Sequence, residues 1–251
     1  MAPGSYYVNA RLGRYKAGEY ARLLLPLAGR RFSRALKTDL YEEAHALPFL
    51  WQWLSQRSGQ VVSIDRSSAI ARGAARELDA LRLPGASLVA DCRALPFADG
   101  SFDLVVSPST FDHFAAIEAA IAETHRVLEP GGTLVITLNN RSNPFFVLNS
   151  YLLPRLGLLR FTNYHYTRRQ ATRLLERGGF RVRHQTTILH LPFLYPSLSN
   201  LLQRLGGLGP WLDARCVELV GRITHTPLAA LVAWHVAFIA EKRSVGPAGP
   251  A

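Results

Sequence analysis

Disulfide chemistry has almost no material in this chain. Its 251 residues hold two cysteines, Cys92 and Cys216. Two thiols cannot build the cross-linked framework of a small secreted scaffold, and neither lies in a zinc-ligand spacing, so a reducing cytoplasm is the expected compartment and no metal site is expected. Acidic residues are also scarce: 18 Asp and Glu stand against 29 Lys and Arg, a net charge of +11. Such a balance attracts nucleic acid, anionic lipid or acidic substrates. It also arises with no partner at all, when Arg merely stands in for Lys. No basic run interleaved with aromatics tracks a nucleic-acid backbone, so nucleic acid is not expected, and an anionic membrane surface ranks above it. Long apolar runs are missing too. The most apolar stretch, 227–240, is too short for a membrane span and contains His235; it reads as a helix leading into a buried strand. The N-terminal stretch carries Arg, Lys and Glu ahead of any apolar run, which is not the order of a signal peptide. Repeats and low-complexity segments are lacking, apart from a Pro/Gly/Ala tail after Ser244.

What is present is an ordinary globular balance, 48% hydrophobic and 19% charged, in a chain long enough for one α/β domain with insertions. Apolar clustering predicts a helix over 17–29 and another, rich in aromatics, over 44–58. Strands are expected at 34–39, 61–65, 87–91, 102–107, 133–138, 180–188 and 234–240. Further helices fall at 67–81, 115–128 and 168–177. Glu129-Pro-Gly-Gly132 is the stop signal of the second of these, and Thr167 and Gly178-Gly179 bracket the third. The alternation of strand and helix implies a parallel sheet with helices on both faces. Ligands of such sheets bind beyond the carboxyl ends of the strands, at the topological switch point.

Three pieces carry a family resemblance. DCRALPFADGSFDLVVS starts at Asp91, FDHF starts at Phe111, and HRVLEPGGTLVI starts at His125. Together with weaker matches at 61–67, 166–182 and the last strand, they resemble class I, Rossmann-like S-adenosylmethionine-dependent methyltransferases of the type acting on small molecules and lipids. The resemblance implies a seven-stranded, mostly parallel sheet with an antiparallel last strand. It also implies S-adenosyl-L-methionine as cofactor. The division that follows is a helical arm over 1–30, the domain proper over 31–243, and a flexible tail over 244–251. Insertions at about 139–165 and 190–226 are rich in Leu, Phe and Tyr, and both exceed simple connections.

The resemblance also distributes roles. Asp65, ending the second strand beside Arg66, is placed to take both ribose hydroxyls; the alternative is a helix N-terminal charge before Ser67. Asp91, with Cys92 and Arg93, is placed at the adenine; the alternative is a turn-forming Asp. Ser107 ends the fourth strand near the transferred methyl. His113 follows as a candidate base, or as a helix-start residue packed beside Phe111 and Phe114. Asp103 is expected to cap a neighbouring loop. One departure matters. The family's first motif is an acid with several glycines, whose bare backbone lets the cofactor approach, yet here 35–44 reads ALKTDLYEEA. In place of glycine stand Lys37, Thr38, Asp39, Glu42 and Glu43, of which Asp39 and then Glu42 suit the cofactor's ammonium, and Lys37 or Thr38 its carboxylate.

The expected function is therefore methyl transfer to a small, apolar, lipid-like acceptor, with O-methylation favoured and with peripheral contact to an anionic membrane. The altered first motif keeps open a catalytically inactive binding or partner domain. A nucleotide-dependent oxidoreductase is disfavoured, because no glycine loop holds a pyrophosphate.

Overall fold

β-Branched and apolar residues set the strands, and proline and glycine set their limits. In the computed structural model, which describes residues 10–144, 155, 164–190, 206–223 and 229–244, the strands are β1 (Phe32–Lys37), β2 (Ser58–Asp65), β3 (Ala86–Val89), β4 (Phe102–Pro108), β5 (Leu128–Asn139), β6 (Phe180–Ile188) and β7 (His235–Lys242). They form one sheet in the order β3-β2-β1-β4-β5-β7-β6. The first five run parallel, and β7 is antiparallel to both β5 and β6. The order reverses between β1 and β4, so the switch point lies at their carboxyl ends. This is the Rossmann-like arrangement expected.

The helices are α1 (Ala10–Leu24), α2 (Phe49–Ser55), α3 (Ser68–Ala80), α4 (Ile117–Val127), α5 (Arg168–Arg177), α6 (Leu208–Ile223) and the short α7 (Ala229–Val232). Two differ from expectation for reasons proline supplies. The first helix begins seven residues earlier than 17 and yields to a tighter turn at Leu25–Leu27, because Pro26 can neither donate its backbone bond nor fit its ring against the preceding turn. The second is confined to Phe49–Ser55, with Pro48 as its N-cap, since the residue before a proline is driven out of helical conformation. The freed residues extend β2 back to Ser58. The Glu129-Pro-Gly-Gly132 turn is not a break before β5 but part of it. The strand starts at Leu128 and slips register against β4 between Phe102 and Leu104, with Gly131 at φ 78°, where glycine alone costs little strain.

Two apolar layers flank the sheet. Tyr20, Leu23 and Leu24 of α1, Trp51 of α2 and Ala74 of α3 pack on Ala35, Val106, Val135 and Ala237. On the opposite face Ile117, Ile121 and Val127 of α4, with Leu175 of α5, pack on Leu36, Val105, Ile136 and Phe238. Trp51 is buried, its Nε1 donating to Pro84 O at 3.2 Å. Gly85, at φ 145°, lies against it: a Cβ there would come within 2.4 Å of the indole. Thr167 caps α5 in a reciprocal capping box with Gln170, as its position implied. Among the described residues no helix is long and apolar enough to cross a membrane. Much of both insertions, and the tail beyond 244, lie outside the described residues.

Candidate functional site

At the tip of β1 the chain turns inward where a glycine cradle was absent. Lys37 is fully buried, and its Nζ donates to Glu43 Oε2 at 2.8 Å and to Asp39 O at 2.5 Å. Burial opposes the charge on Lys37, but Glu43, Asp39 and Glu42 outweigh it and raise the ammonium's pKa. Where the expectation gave Lys37 a cofactor carboxylate, its ammonium bonds to this chain's own Glu43 Oε2 and Asp39 O. Glu43 is equally buried, and one carboxylate oxygen, Oε1, has no partner. Asp39 and Glu42 are half-buried. Burial pushes Asp39 up, whereas Glu42 is held near 2 against its own burial chiefly by Lys16 and Lys37. Ligand atoms of Asp39, Glu42 and Glu43 lie within 4.8 Å of one another. The Lys37 ammonium stands among them as their cation.

The loop's amides are also turned inward. Thr38 N donates to Val106 O, Tyr41 N to Asp39 Oδ1, and Leu40 N to Asp65 Oδ2 at 3.3 Å. The Thr38 hydroxyl bridges Ser107 Oγ at 3.0 Å and Thr110 Oγ1 at 3.2 Å. Thr38 and Ser107 therefore meet, both buried, across the switch point.

Asp65 ends β2, half-buried, with Oδ1 accepting from Ser67 N at 2.7 Å. It steers the start of α3, where Ser67 is the N-cap, and it also holds the switch-point loop through Leu40 N. Each of its oxygens accepts one bond, leaving about half of a carboxylate's four or so lone-pair positions. Asp91 is different. It lies past the end of β3, and Arg93 grips it bidentately, Nε to Oδ1 at 3.0 Å and Nη2 to Oδ2 at 2.6 Å, with Arg93 N adding a third bond and Arg66 Nε 3.5 Å away. These bonds from Arg93, against a smaller burial effect, hold Asp91 near 2. The bonds from Arg93 leave little of this carboxylate open to an adenine amino group. Cys92 is buried, and burial raises its thiol to about 12, so it stays protonated near neutral pH.

After β4 the turn Phe111–His113 places neighbours oppositely: His113 is exposed and Asp112 fully buried. Asp112 Oδ2 accepts from Asn139 N at 2.9 Å and from Ser109 Oγ at 3.2 Å. Ser109 has φ 47°, a strained value for serine, fixed by its amide bonding both Thr137 O and Thr137 Oγ1. Nothing in the period of a single turn says which of two adjacent residues faces inward, and the residue types alone point to His113 rather than Asp112. Asp103 behaves as expected, with its carboxylate receiving Ser33 N and Arg34 N where β1 begins.

The segment that carried the resemblance is mostly a clasp. Arg126 donates to Phe97 O, Leu95 O, Asp99 and Glu123, and Glu123 in turn accepts Leu95 N. This locks the LPFADG loop onto α4, with Phe97 edge-on to Phe102 at 5.0 Å. Residues 49–136 match a family described as a methyltransferase domain. Over that stretch the chain is similar to this methyltransferase domain. The match starts at Phe49, past the glycine-free loop. The chain is 43% identical over 77 residues to a demethylmenaquinone methyltransferase of Thermus thermophilus, covering 31% of this chain and 35% of that protein. It is 39% identical over 98 residues to a malonyl-[acyl-carrier protein] O-methyltransferase of Geobacter sulfurreducens, covering 37% and 36%. The chain thus spans about a third of the length of these curated relatives. Among solved structures, a methyltransferase of Methanosarcina mazei superposes with TM-score 0.61 at 17% identity, over 88% of this chain and 97% of that one. The [4+2]-cyclase SpnF superposes with TM-score 0.60 at 17% identity, over 92% and 81%. A cyclase on this scaffold shows that the fold alone does not fix the chemistry.

The family implies S-adenosylmethionine, and the residues present fit it in part. Asp65 has two acceptor positions open for a ribose diol, and Asp39 and Glu42 supply carboxylates for an ammonium. Lys37 and the amides of Thr38, Leu40 and Tyr41 are engaged within the chain, and Asp91 is held by Arg93.

Proposed function

We propose that this chain transfers a methyl group from S-adenosylmethionine to an oxygen of a small, apolar acceptor. The observation that carries the reading is Asp65, a carboxylate at the strand tip next to the switch point with acceptor positions to spare. When bound, the cofactor supplies an electrophilic methyl. The chain holds it: Asp65 takes the ribose hydroxyls, while Asp39 and Glu42 face the ammonium. Arg66, Cys92 and Arg93 border the adenine with backbone and guanidinium rather than through Asp91. Thr38 and Ser107 close the floor. Methyl transfer depends chiefly on in-line approach, so positioning dominates. His113, exposed beside the buried Asp112, serves as base only for an acceptor that reaches it from solvent.

The Leu, Phe and Tyr content of the insertions supports an apolar acceptor. Leu208 and Trp211, exposed on α6, and the +11 charge suit peripheral contact with an anionic bilayer on the cytoplasmic side. A second reading, a non-catalytic partner domain, is favoured by the Lys37–Glu43 pair that fills the place of the cradle. Calorimetric titration with S-adenosylmethionine and S-adenosylhomocysteine separates the two. Binding by wild type, weakened at least ten-fold in Asp65→Ala and by a smaller factor in Asp39→Ala, supports the enzyme. Undetectable binding of both ligands at millimolar concentration supports the partner domain. Unchanged affinity in Asp65→Ala removes the ribose assignment.

A further inference from the structure

Three buried side chains at the carboxyl end of β5 each carry a polar atom without a partner: Asp112 Oδ1, Asn139 Nδ2 and His235 Nδ1. Their residues are 0%, 2% and 8% exposed. They are neighbours. Asn139 and His235 are register partners between β5 and β7, and directly opposed side chains share one face with Cβ atoms about 5 Å apart. Asp112 Oδ2 accepts from the backbone N of Asn139 at 2.9 Å. A bonded chain surrounds them: Tyr20 OH meets Thr137 Oγ1, Thr137 takes the amide of strained Ser109, and Ser109 Oγ reaches Asp112. An unpaired buried polar group costs about 1–3 kcal/mol, so three side by side mark a place that is completed by something else.

We propose that Asp112, Asn139 and His235 bind the hydroxyl of an uncharged acceptor. The hydroxyl donates to Asp112 Oδ1 and accepts from Asn139 Nδ2, with His235 Nδ1 as the third contact. The ligand's charge follows from the surroundings. His235 is neutral near pH 7, since burial lowers it to about 3, and burial raises Asp112. The charged groups that face the site are of both signs: Asp39, Glu42 and Asp112 act on Tyr20, while Lys16, Glu42 and His113 act on His235, so no net charge on the acceptor is called for. A neutral hydroxyl uses one donor and one acceptor and needs no counter-ion. β5 and β7 lie on the far side of β4 from β1 and β2, so this site and Asp65 flank the switch point from opposite sides. The purpose of the hydroxyl, to receive a methyl group, rests on the reading proposed above; its binding does not.

The test uses phenol and cyclohexanol as probes, with anisole and benzoate as controls, at millimolar concentration against the full chain labelled with ¹⁵N-histidine. The His235 resonance is assigned by its loss in His235→Gln. Phenol or cyclohexanol is expected to shift the His235 Nδ1 resonance, with anisole and benzoate at least ten-fold weaker. Asp112→Asn and Asn139→Leu are each expected to weaken the binding at least ten-fold. Asn139→Leu should fold with an equal or higher melting temperature, because it deletes an unpartnered amide. Equal shifts from phenol and anisole would overturn the site. So would no shift from either alcohol, the mark of a cavity holding water only, or unchanged binding in both variants. S-adenosylmethionine is titrated in parallel. Alcohol binding without cofactor binding sinks the methyl-transfer reading and keeps this site; cofactor binding without alcohol binding does the reverse.

Discussion

Replacing Lys37 by Met leaves the carboxylate of Glu43 buried with no counter-charge. Both side chains are fully excluded from solvent and joined at 2.8 Å, and breaking such a pair from one side costs about 3–5 kcal/mol. For a chain of this size each kcal/mol moves the melting temperature by about 2–4 °C, so Lys37→Met is expected to melt some 6–20 °C lower. The loss has a pH signature. Burial already raises Glu43, and without Lys37 it rises further. A folded-state carboxyl raised above its unfolded value gives up stability as pH rises, so the penalty should be larger at pH 8 than at pH 5. Lys37→Met/Glu43→Leu removes both charges and should return to within about 1 kcal/mol of wild type or exceed it. Thermal and denaturant unfolding of the four proteins completes the cycle. A single variant within about 1 kcal/mol of wild type, or a double variant no better than the single, would refute the claim that this pair is a buried plug in place of the cradle.

Two further outcomes follow from buried groups near the site. His235 has a folded pKa near 3 against an ordinary value of about 6.5, so the unfolded chain binds a proton that the folded chain refuses between those limits. Wild type should therefore lose up to about 3 kcal/mol more than His235→Phe between pH 6.5 and pH 4, read by denaturant midpoints; parallel curves would contradict it. Glu19, buried in α1, accepts from Leu189 N and contacts His190 Nδ1, both at 3.0 Å, and these bonds hold its pKa low against burial. Glu19→Gln should cost about 1.5–3 kcal/mol and speed amide exchange in α1 over the site, an effect that fades as pH falls below the ordinary carboxyl value.

Much of the frame is legible in the residues because local rules and tertiary demands agree there. The order of strands and helices follows from β-branched runs and glycine-proline punctuation, and the Thr167 cap from side-chain chemistry alone. The limits of α1 and α2 were set by Pro26 and Pro48, which broke an apolar pattern that continued on either side of them. The site was less legible. A lysine at a strand end reads as a surface group until its carboxylate partner, six residues on, is folded back over it. Asn139 and His235 are 96 positions apart in the numbering and meet only through the pairing of β5 with β7. The turn that buries Asp112 and exposes His113 is fixed by bonds to Ser109 and Asn139, neither of which has a local signature.

The most direct check on the central claim is a crystal structure of the full chain grown with S-adenosylhomocysteine. The expected result is a nucleoside at the carboxyl ends of β1 and β2, both ribose hydroxyls within hydrogen-bond distance of Asp65, and the Lys37–Glu43 pair intact behind it. A nucleoside bound elsewhere, or one admitted only after that pair has opened and moved aside, would contradict it.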